Sequence, residues 1–171
     1  GWGKDGEGTV VRPQCTGESR AERAGGEEEQ KVCREKGSRA RNVGVGELLY
    51  LGEMRIEVLG PVREYEDAND NSVVLRLVYG ESKILLTGDA EGPAEKDLIE
   101  RGGLEADVLK VGHHGSSTST SSSFLEEVMP ETALISVGPD RNNLPRSDVL
   151  ARLREVGADI YRTDFDGSVL V

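Results

Sequence analysis

The sequence contains short apolar runs that each end in a glycine and a polar turn. Residues 82–86 lead into Thr87-Gly88-Asp89, and residues 107–111 lead into Gly112-His113-His114-Gly115. A segment with the apolar spacing of a helix follows each turn. This alternation of strand, turn and helix predicts an α/β layer. It also places a carboxylate and both histidines of the chain at strand ends.

The remaining pattern from residue 46 onward predicts further strands and helices, and the bias toward Val, Leu and Ile predicts an aliphatic core. Hydrophobic residues make up 36% of the chain but aromatic residues only 4%. The elements predicted from alternation, proline and glycine are hairpins at 47–51/54–59 and 72–79/82–86, helices at 93–101, 122–129 and 148–156, strands at 107–111 and 132–138, and a closing hairpin of strands 160–163 and 168–171 around Asp166-Gly167.

The first 41 residues have a different composition and form a separate region in this interpretation. We predict a frayed start, a short strand at 9–13, a mobile loop from 14 to 30 and a short helix from 27 to about 36. Residues 42–171 then form the main domain. The chain starts with Gly1 and no signal segment follows, so we expect it to be a piece of a longer protein.

Charge and composition exclude several classes of function. No apolar run approaches the roughly 20 residues that span a bilayer, so we expect no direct membrane insertion by this segment. The net charge of -11 opposes nonspecific binding to nucleic acid, so a polyanionic substrate would need a local cationic patch or a bound metal. The spacing of Cys15 and Cys33 does not fit a zinc knuckle or a thioredoxin-type site.

Asp89, His113 and His114 are the candidate catalytic and metal-binding residues. Carboxylates and imidazoles bind zinc, manganese or iron, and such ions activate water for hydrolysis. Two alternatives stay open: the histidines can hydrogen-bond across the serine-rich loop, and Asp89 can cap the next helix through amides near Gly92. A serine nucleophile is disfavoured because the Gly-x-Ser-x-Gly elbow is missing.

Several stretches resemble one known family in sequence and in order. They are Asn69 to Leu75, Leu85 to Glu91, Ala106 to Ser116, Ile135 to Gly138, and Arg162-Thr163-Asp164 with Gly167. Together they are similar to the metallo-β-lactamase-like domain of ComEC-type competence proteins. The resemblance covers roughly residues 42 to 171 and implies the C-terminal half of that domain.

The resemblance implies an αββα sandwich, here partial, and a metal-dependent phosphodiesterase or nuclease. It implies a divalent metal, Zn or Mn, in a two-metal site of the complete domain. Asp89 would bridge the metals, His113 or His114 would be a further ligand, and Ser116 and Ser117 would contact substrate at the rim. The partners would be DNA and the membrane channel portion of the same protein, which would hold this domain at the cell membrane.

Two departures from the family pattern leave other functions open. The His-x-His-x-Asp-His motif is absent, and Leu144 stands where family members commonly have the histidine of a His-Pro pair. We therefore expect this chain by itself to be inactive. The alternatives are a free-standing hydrolase of a phosphoester, ester or lactone, and a degenerate, noncatalytic binding module.

Overall fold

The computed structural model describes residues 9–13, 31–32, 35, 39–138 and 143–170. The chain divides into two compact units, residues 1–44 and 45–171. In the first unit, β1 (Thr9–Pro13) pairs in parallel with β2 (Arg39–Val43). The predicted strand at 9–13 is thereby confirmed.

The other predictions for the first region fall largely outside the described residues. Lys31, Val32 and Glu35 are helical. The rest of the predicted helix, the predicted loop from 14 to 30 and both cysteines lie outside the described part of the chain.

The second unit is built on a seven-stranded sheet in which the strands follow one another in chain order. The strands are β3 (Leu48–Leu51), β4 (Met54–Gly60), β5 (Val74–Tyr79), β6 (Ser82–Leu86), β7 (Val108–Lys110), β8 (Thr132–Ile135) and β9 (Asp159–Arg162). Strands β3 to β6 pair antiparallel, whereas β6 to β9 pair in parallel. Short turns join β3 to β4 and β5 to β6, and residues 61–73 with the 3-10 helix Asn69–Asn71 join β4 to β5.

Helices connect the parallel strands, as this geometry requires. They are α1 (Gly92–Arg101), α2 (Ser122–Val128) and α3 (Ser147–Glu155), and a short helix α4 (Thr163–Asp166) follows β9. Local sequence sets their ends: Pro93 lies in the first turn of α1, Gly102 ends it with φ 71°, and the Ser121 hydroxyl caps α2 by accepting from Phe124 N. The predicted mixed α/β class is confirmed.

The hydrophobic core lies between the helices and one face of the sheet. Leu85, Leu109 and Ala133 form one row across three neighbouring strands, and they share a buried cluster with the inner faces of α1, α2 and α3. On the other face, aliphatic side chains of β5 and β6 such as Leu75 and Ile84 are half-buried. A sheet with apolar side chains on both faces is the arrangement that a layered sandwich requires.

The predicted closing hairpin is wrong, although its first strand, predicted at 160–163, is present as β9 (Asp159–Arg162). Residues 163–166 form α4, and residues 168–170 are not in a strand. Side-chain contacts close the helical turn: Arg162 N donates to Asp166 Oδ2 at 2.7 Å, and the Arg162 guanidinium pairs with both oxygens of Asp164. The Asp-Gly pair therefore ends a helix instead of turning a hairpin.

Candidate functional site

The candidate site lies where β6 and β7 end. The two strands are parallel neighbours, with Leu86 beside Lys110, so the turns that follow them meet at one edge of the sheet. His113 N donates to Gly88 O at 3.1 Å, which ties the turns together. The structure thus brings the sequence-predicted Asp89, His113 and His114 to the same edge.

Asp89 and His114 face each other across a short gap. The distance from His114 Nε2 to Asp89 Oδ1 is 4.0 Å, and each side chain is more than one-third exposed. His114 Nδ1 lies 2.6 Å from Ser136 O. A carbonyl oxygen only accepts hydrogen bonds, so Nδ1 carries a proton, and in the neutral imidazole Nε2 is then the nitrogen with the lone pair, 4.0 Å from the Asp89 carboxylate.

His113 has a different partner. Its Nδ1 lies 2.9 Å from Glu91 Oε1, and the same oxygen accepts hydrogen bonds from Thr118 Oγ1 at 2.7 Å and Asn69 Nδ2 at 3.3 Å. Partial burial acts to raise the pKa of Glu91, but the hydrogen bonds from Thr118, His113 and Asn69 outweigh it and hold the pKa below its ordinary value. Adjacent residues thus point their rings at different groups.

The backbone of the histidine turn is strained. His113 has φ 43° and His114 has φ 54°, both in the left-handed region within the 3-10 turn Gly112–Gly115. Left-handed backbone costs a residue with a β-carbon about 1–2 kcal/mol. Strain of this kind persists where surrounding contacts impose it, and it clusters at functional sites.

Two glycines allow the close approaches that hold this geometry. A Cβ on Gly88 would lie 2.8 Å from Ser72 Cβ, and Asp89 N donates to Ser72 Oγ at 3.0 Å. A Cβ on Gly115 would lie 2.4 Å from Pro145 Cβ, and both glycines have positive φ. The turn after β6 therefore packs on Ser72, and the turn after β7 packs on the segment before α3.

Asp70, and not Asp89, caps the start of helix α1. Asp70, which is only 3% exposed, accepts from Glu91 N at 2.9 Å and from Ala94 N at 3.3 Å through Oδ1. Sequence reasoning missed Asp70 because it lies more than twenty residues before the amides that it binds. Its only sequence signal was its place in the Asn-Asp-Asn stretch.

Ser116 and Ser117 lie on the loop after the histidine turn. Ser116 Oγ is 2.9 Å from Thr118 Oγ1, and Ser117 Oγ donates to Asp148 Oδ1 at 2.9 Å. Neither hydroxyl is hydrogen-bonded to a histidine within the described residues. Ser117 instead joins this loop to the first turn of α3.

Basic side chains near the site are mostly engaged with other groups. Lys110 Nζ donates to Val111 O at 3.0 Å, and burial lowers the pKa of Lys110 against the attraction of Asp89. Arg152 binds the backbone oxygens of Ser119 and Thr120 as well as Asp148. Arg146 differs: its side chain is exposed and has no hydrogen bond or ion pair in the described part of the chain, while its N–H donates to Gly115 O at 2.9 Å.

The ligand set around Asp89 and His114 contains two residues. Within residues 9–13, 31–32, 35, 39–138 and 143–170, no group of three or more His, Cys, Asp or Glu side chains is arranged to hold a metal ion. Leu144 packs against the hydrophobic core. In the same described ranges, no helix has the length and apolarity needed to cross a membrane.

Comparison with known proteins gives relatives among competence proteins. The chain is 34% identical over 142 residues to ComE operon protein 3 of Bacillus subtilis, covering 81% of this chain and 18% of that protein. It is 40% identical over 110 residues to competence protein ComA of Neisseria gonorrhoeae, covering 63% of this chain and 16% of that protein. The chain therefore spans less than a fifth of the length of these relatives, and the predicted resemblance to competence proteins is confirmed.

Solved structures and family models agree on the fold. The chain matches CmlA, a diiron beta-hydroxylase from Streptomyces venezuelae, with a TM-score of 0.60 at 15% identity, covering 92% of this chain and 39% of that one. At this identity the match concerns the fold alone. The model of the metallo-beta-lactamase superfamily matches residues 21–138. Because that match spans more than half of the chain, the protein belongs to the metallo-beta-lactamase superfamily.

Proposed function

We propose that Asp89 and His114 form one wall of a divalent-metal site in a phosphodiesterase that acts on DNA during competence. The observation that carries this proposal is the position of the His114 ring between Ser136 O and the Asp89 carboxylate. Because Nδ1–H donates to Ser136 O, Nε2 of the neutral ring is free to bind a metal, and it lies 4.0 Å from the Asp89 carboxylate. A carbonyl behind the imidazole is a common support for histidines that bind metals.

The donor chemistry of this pair fits a divalent cation. A carboxylate oxygen and a neutral imidazole nitrogen suit Zn²⁺ or Mn²⁺, and both groups are accessible at a sheet edge. When bound, such an ion supplies Lewis-acid assistance and activation of water for hydrolysis. Two ligands do not complete a metal site. The proposal therefore concerns the complete domain, in which residues outside the described ranges would supply further ligands and hold a second metal.

The chain's own residues also have to attract a polyanion, because the net charge of -11 opposes DNA binding. Arg146 is suited to this role, because its N–H is bonded to Gly115 in the histidine turn and its guanidinium is exposed. In this proposal Arg146 binds a backbone phosphate beside Asp89 and His114. Ser116 lies on the same rim and is a candidate substrate contact, whereas Ser117 mainly secures the loop.

The names of the relatives support a role in competence. ComE operon protein 3 and competence protein ComA are each more than five times as long as the segment that this chain matches. We propose that this domain likewise belongs to a longer DNA-uptake protein whose channel portion holds it at the cell membrane. The domain would then hydrolyse one strand of incoming DNA.

The experiment is metal titration combined with a nuclease assay on the protein that carries the complete domain. We expect Asp89→Ala and His114→Ala to lower Mn²⁺ or Zn²⁺ affinity at least about tenfold and hydrolysis about 100-fold or more, because metal ligands contribute several kcal/mol to such reactions. His113→Ala should leave metal affinity closer to wild type. Asp159→Ala is the matched control, since Asp159 is exposed at the opposite end of the strands.

One specific observation favours a second candidate, a noncatalytic binding module. The described residues contain two ligands, and Leu144 occupies the family histidine position while packing in the core. If the complete wild-type domain binds no metal and cleaves no DNA but retains DNA binding, this second function is correct. Metal binding and hydrolysis that survive Asp89→Ala would refute the proposed site.

A further inference from the structure

Glu91 occupies the N-cap position of α1 without capping that helix. Its side chain makes no capping hydrogen bond, and the Glu91 and Ala94 amides at the start of the helix bind Asp70 instead. Short polar residues at this position commonly cap the first turn of their own helix with the side chain. Asp70 therefore leaves the Glu91 carboxylate available for a different contact.

The Glu91 carboxylate is directed at His113. Three donors from three different segments converge on one oxygen, Oε1: His113 Nδ1 at 2.9 Å, Thr118 Oγ1 at 2.7 Å and Asn69 Nδ2 at 3.3 Å. The hydroxyl and the amide hold this oxygen in place, so the histidine meets a fixed acceptor. A charged acceptor in a partly buried position makes such hydrogen bonds strong.

The contact with Glu91 distinguishes the two ring nitrogens of His113. The His113 side chain is 29% exposed and that of Glu91 is 18% exposed. Glu91 binds Nδ1, and His113 Nε2 makes no hydrogen bond within the described residues. The ring centroid of His114 lies 6.5 Å from that of His113, so the His113 ring lies beside the Asp89–His114 pair.

We propose that Glu91 is a positioning residue that fixes His113 in the Nδ1–H tautomer, so that Nε2 presents a hydrogen-bond acceptor to the substrate or its attacking water. This inference rests on the proposed function for its catalytic meaning. The tautomer itself follows from the contact with Glu91 alone. The two histidines then have separate roles, metal binding at His114 and substrate or water orientation at His113.

The first experiment is NMR on the 171-residue chain labelled with ¹⁵N-histidine, at a pH where both imidazoles are neutral. The chain has two histidines, so His114→Asn assigns the signals. We expect His113 in the wild type to have the Nδ1–H pattern, and Glu91→Ala to lose it because the acceptor is gone. The His114 pattern should be unchanged, since Ser136 O still accepts from it.

Glu91→Gln is the conservative variant. Thr118 and Asn69 both donate to the position of Oε1, so the glutamine amide places its oxygen there and still accepts from His113. We therefore expect Glu91→Gln to keep the Nδ1–H tautomer. Glu100→Ala, an exposed change on the same helix, is the control for general effects. An unchanged tautomer in Glu91→Ala, or its loss in Glu91→Gln as well, would overturn the proposal.

Kinetics on the protein with the complete domain separate this inference from the proposed function. We expect Glu91→Ala to lower kcat about 10- to 100-fold with unchanged metal content, and Glu91→Gln to recover most of that loss. If the wild type is inactive while the tautomer depends on Glu91, the proposed function fails and the positioning contact stands. If the wild type is active and Glu91→Ala changes neither kcat nor the tautomer, the inference about Glu91 fails and the proposed function stands.

Discussion

At the residue scale, the chemistry of the site depends on which group accepts the hydrogen bond from Nδ1 of each histidine. His114 has a neutral carbonyl behind it, Ser136 O, whereas His113 has the Glu91 carboxylate. Both partners accept a hydrogen bond from Nδ1, but the two rings lie in different surroundings. The left-handed backbone of both residues sets the directions in which the two rings leave the turn.

Arg146 gives the residue-scale prediction. We expect Arg146→Ala to weaken DNA binding several-fold for every sequence and to reduce the dependence of log Kd on log salt by about 1, as loss of one phosphate contact does. Fluorescence anisotropy with a labelled oligonucleotide at several salt concentrations measures both quantities.

Arg154→Ala is the matched control for Arg146. Arg154 is also exposed, but it lies eight residues further along, about 12 Å from Arg146 at the rise of an α-helix. Equal salt slopes in the wild type and Arg146→Ala would refute phosphate binding by Arg146.

At the element scale, the loop after the histidine turn is held between two helices. Glu95 of α1 is 3% exposed and accepts from Thr120 N and, at 3.0 Å, from Ser121 N. Arg152 of α3 donates to the carbonyl oxygens of Ser119 and Thr120. This loop is therefore part of the packed structure, and it fixes Thr118 where Glu91 can bind it.

Burial raises the pKa of Glu95, against the hydrogen bonds from Ser121 and Thr120 and the charge of Arg152. The folded state then binds the Glu95 proton more tightly than the unfolded state. Glu95 consequently lowers the free energy of unfolding as pH rises from the ordinary value of 4.5 toward the raised pKa. One proton limits this slope to about 1.4 kcal/mol per pH unit.

Glu95→Gln tests this linkage. The amide does not titrate, so we expect the difference in free energy of unfolding between wild type and variant to shift against the wild type as pH rises through that window. Chemical denaturation at a series of pH values measures it, with the exposed Glu100→Gln as control. A pH-independent difference would contradict a raised pKa of Glu95.

At the scale of the whole molecule, one buried cluster joins all the parts that position the site. Leu109 is fully buried in β7, directly before the histidine turn, and its row continues through Leu85 and Ala133 on either side. The helices that supply Glu95 and Arg152 pack on the same cluster. Stability and site geometry are therefore coupled in residues 45–171.

Leu109→Ala should lower the free energy of unfolding by about 2–5 kcal/mol, through lost burial and the cavity left behind. Leu51→Ala, at a side chain that is 69% exposed, should change it by less than about 0.5 kcal/mol. Denaturant unfolding followed by far-UV circular dichroism measures both. A small effect of Leu109→Ala would show that this row does not anchor the fold.

Local signals in the sequence sufficed for most of the second unit. Proline and glycine placed the ends of α1, and apolar alternation placed the hairpins of β3 to β6, because these depend on residues close in the chain. The closing hairpin failed because the Asp166-Gly167 signal is shared by turns and helix ends. The contacts of Arg162 with Asp164 and Asp166 stabilise a helical turn at this position instead. The boundary predicted at residue 41 stays a prediction.

The sequence alone determined that a carboxylate and two histidines stand at the ends of neighbouring strands, because strand periodicity and glycine turns are local properties. Only the tertiary structure decided which histidine faces Asp89, that Asp70 caps α1 in its place, and that Glu91 holds His113. Each of these choices depends on hydrogen-bond partners 21 to 24 residues apart in the chain, such as Glu91 and His113 at 22. Such partners meet only when the sheet and its helices have packed.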